Sequence, residues 1–90
     1  MQNIIKDVGE WSVNTFGDHD RIEELFEHLK SEADEGIAYH RDNSPFMDWA
    51  IADCLILLLD AMYRESIIWD KVLLAVKAKM EVNKRKKWDK

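Results

Sequence analysis

Ninety residues, 47% hydrophobic and 34% charged with three Gly and one Pro, describe one folded domain over residues 1–90 rather than a disordered or low-complexity chain. A lone cysteine, Cys54, excludes an internal disulfide framework, and three scattered histidines argue against a Cys/His zinc site. No uncharged apolar run approaches the ~18 residues of a membrane span, and the opening MQNIIKDVGEW lacks a secretory signal pattern, so a cytoplasmic location is expected.

The net charge of −5 is divided unevenly: residues 1–74 hold 6 Lys/Arg against 16 Asp/Glu, whereas residues 75–90 hold 7 against 2. An acidic body with a basic end can hold a cation beside a polyanion, while the overall acidity argues against general nucleic-acid binding.

Helical spacing predicts a first helix from Gln2 to Phe16, with Ile4, Val8, Trp11 and Thr15 as its stripe and Gly17 as its stop. Asp18 or Asp20 offers an N-cap to a second helix, with Glu23 three residues beyond Asp20 in the manner of a capping box. Ile22, Leu25, Phe26, Leu29, Ala33 and Ile37 supply its apolar stripe, which runs out near His40. Ser44-Pro45 is a start signal for a third helix reaching Arg64. Its run Cys54-Leu55-Ile56-Leu57-Leu58-Leu59 leaves no polar face, so cover on nearly all sides is expected. Ser66 is expected to cap a fourth helix with the stripe Val72, Leu73, Val76 and Met80. Short connections between four helices predict an all-α, four-helix antiparallel bundle. The demand for apolar cover around helix three predicts completion by oligomerisation, as a homodimer or homotetramer.

Several polar residues occupy positions that the helical period assigns to the inside. Glu32 continues the stripe of helix two, seven residues after Leu25, and Glu35 stands one turn on. Asp53 and Asp60 bracket the apolar run of helix three seven residues apart, on one face. Buried carboxylates must meet a cation, a donor or water, and carboxylates on facing helices are one way to build a hard-cation site in a bundle. On helix four, Asn83 prolongs the stripe between Lys79 and Lys86, a set suited to phosphate oxygens. A plainer account has Asp53 and Asp60 paired with Arg64 or Lys77 in a structural network, and the lysines solvated. His28, one turn before Glu32, reads as a packing residue or a support for that carboxylate. Trp11, Trp49 and Trp69 read as core or interface, with Trp11 or Trp88 able to stack on a base.

At these residues the chain resembles the MazG-like all-α nucleoside triphosphate pyrophosphohydrolases, in particular the short phage dATP/dGTP pyrophosphohydrolase branch. The resemblance runs through Trp11 to Phe16-Gly17, the HLxxExxE pattern ending in Glu35, Ala52-Asp53 through Asp60-Ala61, and Lys79 to Asn83 with Trp88. It implies Mg²⁺ (or Mn²⁺) held by Glu32, Glu35 and Asp53 as the catalytic set. It also implies phosphate contacts from Lys79, Asn83 and Lys86, with Trp11 and Asp60 as further substrate contacts. Two positions depart from the superfamily pattern: Ala50 stands where ExxD places an acid, and Ser31 where EExxE places a Glu. Asp48, Asp60 or a partner subunit could make up the ligand count.

The reaction implied is hydrolysis of a (deoxy)nucleoside triphosphate, a purine one (dATP/dGTP) in that branch, to monophosphate and pyrophosphate. For a phage-encoded chain the location becomes the host cytoplasm. The alternative, favoured by Ala50 and Ser31, is a non-catalytic helical interaction module derived from the same family.

Overall fold

Four helices account for the computed structural model, which describes residues 1–86: α1 (Gln2–Phe16), α2 (Ile22–Arg41), α3 (Met47–Arg64) and α4 (Trp69–Arg85). Among the described residues there is no strand, and no helix is long and apolar enough to cross a membrane. Helix α3 is the central element and packs against both α2 and α1. Its burial is that of a small core, built on Ile5, Leu25, Ala50 and Leu59.

The helix ends follow local chemistry, with shifts from the sequence expectation. Gly17 stops α1 at φ 94°, a left-handed value that glycine adopts without steric cost, and its N–H donates to the Val13 carbonyl. Asp20 does cap α2, its Oδ1 accepting from the Ile22 N–H at 3.0 Å, but the N-cap position is Arg21 and no Glu23 capping box forms. Ser44 accepts from the Phe46 N–H at 3.1 Å, and α3 starts at Met47 rather than at Pro45 because residues 45 and 46 form a turn first. Ser66 closes α3 instead of opening α4. At φ 55° it turns the chain left-handed, and the Ile67 N–H reaches back to the Met62 carbonyl as in a Schellman end. The first N–H of α4, on Trp69, is capped from a distance by Gln2 Oε1 at 2.9 Å.

The buried stripe of α1 also differs from the expected one. Ile5, Gly9 and Ser12 face α3, while Ile4, Trp11 and Thr15 are exposed and Val8 is half-buried. The physical reason is a close crossing: a Cβ placed on Gly9 would fall inside the Tyr63 ring, so only glycine lets α1 approach α3 there. Helix α3 is not covered on all sides within one chain, since Ile51, Leu55, Ile56 and Leu58 remain exposed. Helix α4 buries none of its residues and makes only marginal contact with the other helices.

Candidate active site

Leu25, His28 and Glu32 recur at intervals of three and four, which places them on one face of α2, with Arg21 at its N-cap. Asp53, Ile56, Leu57 and Asp60 share one face of α3 at intervals of three, one and three. These two faces, closed from the side by Val8, Trp11 and Phe16 of α1, line a cavity of about 530 Å³. That volume lies within the range of small-molecule sites. The wall is mostly apolar, with Glu32 and Asp53 toward one end and Asp60 beside the aromatic rings toward the other.

At the acidic end Glu32 and Glu35 of α2 meet Asp53 of α3. One carboxylate oxygen from each lies within 4.8 Å of the others. Oxygens bound to one divalent cation at about 2.0–2.6 Å stand up to roughly 4–5 Å apart, so the three are spaced to hold a single hard cation. Glu32 is the most sheltered of the three, its side chain 17% exposed, and its Oε1 lies 3.0 Å from His28 Nε2. His28 thus supports the carboxylate from one turn below. Glu35 and Asp53 are exposed, so the cluster stands at the cavity mouth rather than in the core the period had assigned to Asp53. The Glu35 carboxyl is held above the ordinary value of 4.5, first by a hydrogen bond with Glu32 and then by the negative charges of Glu32 and Asp53. A cation held between the three would relieve that repulsion.

Ala50 explains itself here. It is buried, with its Cβ 3.9 Å from where a Cβ on Gly36 would lie, in the seam between α2 and α3. A carboxylate at this position would enter packed interior. Asp48, exposed in the first turn of α3, is not a member of the acidic cluster.

Asp60 belongs to a different arrangement at the other end. It is buried, and its two oxygens accept from the Ser12 hydroxyl and from Arg64 Nε. Arg64 Nη2 donates to the Ser12 oxygen, and Nη1 donates to the carbonyls of Gly17 and His19. The network ties α1, α3 and the turn after α1 together. It realises the Asp60–Arg64 part of the structural pairing considered for this helix. Beside it, Trp11 and Phe16 meet edge to face at 5.6 Å, and the Arg21 guanidinium covers the Phe16 ring at 4.3 Å.

The structure therefore brings together Glu32, Glu35 and Asp53, and adds Trp11 and Asp60 to the same cavity. Lys79 and Asn83 on α4 and Lys86 just past its end do not line it, and Trp88 lies outside the described residues. Ser12 and Arg21 carry site geometry that the sequence reading did not assign. Ser12 had a signal, since it falls seven residues after Ile5 and three after Gly9. Arg21 had none, because a residue at a helix boundary has no periodicity to reveal where it points.

A family model described as dATP/dGTP pyrophosphohydrolase matches residues 4–90. No curated protein and no solved structure matched the chain.

Proposed function

Because the chain belongs to the dATP/dGTP pyrophosphohydrolase family, we propose that it hydrolyses a purine deoxynucleoside triphosphate to the monophosphate and pyrophosphate with a divalent cation. The observation that carries this reading is the convergence of Glu32, Glu35 and Asp53 from two helices at one end of a cavity large enough for a nucleoside. A Mg²⁺ or Mn²⁺ ion held by the three carboxylates would supply Lewis-acid charge neutralisation to the phosphate oxygens.

The chain's own residues do the rest. Glu35, exposed at the mouth of the cavity beside Glu32 and Asp53, is placed to orient and deprotonate the water that attacks the α-phosphorus. The new oxygen–phosphorus bond forms there as the bond to the bridging oxygen breaks, and pyrophosphate leaves. His28 holds Glu32 in place. The base lies along the apolar cavity, where Trp11 offers an aromatic surface.

The same reading makes the working form a homodimer or homotetramer. Exposed apolar residues on α3 and α4, among them Ile51, Leu55, Leu74 and Val76, favour burial against further copies of the chain. In such an assembly Lys79, Asn83 and Lys86 meet the pyrophosphate end of the substrate. The substrate pool places the reaction in the cytoplasm, a host's if the chain is phage-encoded. The test is pyrophosphate release from each common NTP and dNTP with Mg²⁺, with Mn²⁺ and with a chelator. Release from dATP or dGTP that the chelator abolishes is expected. A complete absence of release from every nucleotide sinks the reading.

A further inference from the structure

We propose that Arg21 reads the base, its guanidinium donating to O6 and N7 of a guanine lying in the cavity, so that dGTP is hydrolysed in preference to dATP. The inference rests on the proposed reaction, with the triphosphate at the acidic end.

Position comes first. Arg21 and Glu32 both line the cavity, Arg21 from the N-cap of α2 and Glu32 from within the helix, and the ten helical steps from Ile22 to Glu32 at 1.5 Å each span about 15 Å along the axis. The guanidinium lies over Phe16, at the end of the preceding helix. A nucleotide whose α-phosphorus sits at Glu32 and Asp53 keeps its phosphates near them. The part that extends toward Arg21 is the base.

The guanidinium is also held still. It covers the Phe16 ring at 4.3 Å, its Nε donates to Glu24 Oε2 at 3.1 Å, and its side chain is only 13% exposed. Among the described residues its two terminal nitrogens donate to no acceptor. They remain as a forked, end-on donor pair at the cavity wall.

Guanine presents two acceptors, O6 and N7, on one edge, which a guanidinium fork matches. Adenine replaces O6 with an amino donor, so the same fork meets a donor with a donor. The buried carboxylate at that end, Asp60, has both oxygens engaged by Ser12 and Arg64 and reads nothing. Asp7, which also lines the cavity, carries acceptors suited to an amino group of either purine.

The deciding experiment measures kcat/KM for dGTP, dITP and dATP with the wild-type chain, then with Arg21→Gln and Arg21→Lys. dITP keeps O6 and N7 but lacks the 2-amino group, so it separates reading by Arg21 from reading by Asp7. The expected wild-type order has dGTP and dITP close together and both above dATP by about 5- to 150-fold, the worth of one bidentate pair. Arg21→Gln should bring the dGTP-to-dATP ratio toward one, and Arg21→Lys, which keeps a donor but loses the fork, should lower it only part-way. The proposal is overturned if dITP behaves like dATP in the wild type, or if the ratio survives in Arg21→Gln while both substrates fall in parallel. The wild-type comparison stands even if a variant fails to fold. Release from no nucleotide at all is a different result: it removes the reaction, and this inference with it.

Discussion

Asp60 and Arg64, one turn apart on α3 and each 6% exposed, pair at 2.9 Å while the same arginine holds the Gly17 and His19 carbonyls of the turn after α1. One ion pair thus fixes the wall that carries Phe16 and Arg21. Removing one partner of a buried pair strands the other charge, which costs about 3–5 kcal/mol. Asp60→Ala is therefore expected to lower unfolding stability by that order in urea titration. An unchanged midpoint would show that the network is incidental.

Asp53→Asn tests the acidic cluster. The amide keeps the shape but loses the charge that α3 brings to Glu32 and Glu35. The far-ultraviolet circular dichroism should stay as in the wild type, while pyrophosphate release falls by more than about a hundredfold. The rise in melting temperature given by Mg²⁺ should vanish too, since a ligand stabilises only the form that binds it.

Glu35 predicts a pH dependence of definite sign. Its carboxyl is held above 4.5 in the folded chain, so the folded state binds that proton more tightly than the unfolded one. Its contribution to metal-free stability is then fully present below 4.5 and is lost as pH rises through the raised value. A divalent cation competes with the same proton, so Mg²⁺ affinity rises over that window. The difference between wild type and Glu35→Gln in melting temperature across pH, with and without Mg²⁺, isolates this group from the other carboxylates. A difference that does not change with pH would refute the assignment.

Gly9→Ala should reverse the usual helix preference. Alanine is favoured over glycine by about 1 kcal/mol inside a helix. Here the added methyl would enter the Tyr63 ring, and overpacking costs about 1–3 kcal/mol. Net destabilisation is expected by thermal melting, and a stabilised variant would mean that α1 crosses α3 elsewhere.

The exposed apolar face of α4 bears on assembly. Leu74 is 67% exposed in the single chain, so a charge placed there costs the isolated chain little. Leu74→Lys is expected to lower the sedimentation mass of a homo-oligomer while leaving helicity intact. A wild-type chain that sediments as a monomer at assay concentration would remove the need for further copies.

Helix number, helix order and the acidic pair on α2 were legible from the chain alone, because periodicity of 3.6 and the i, i+3 spacing of Glu32 and Glu35 are local properties. Asp53 as their counterpart on the next helix was legible too, although the period set it in the core and it stands exposed at the cavity mouth. What periodicity could not reveal is which face of α1 is inside. It selected the large residues Ile4, Val8 and Trp11, yet the buried line is Ile5, Gly9 and Ser12. A close helix crossing rewards small side chains, and a buried hydroxyl is tolerated where Asp60 and Arg64 meet it. The same tertiary contacts decided that Asp60 pairs with Arg64, that Ala50 fills the α2–α3 seam, and that Arg21 reaches Phe16. Each depends on how two helices approach each other, a quantity set by the shapes of both surfaces together and carried by neither stretch of sequence alone.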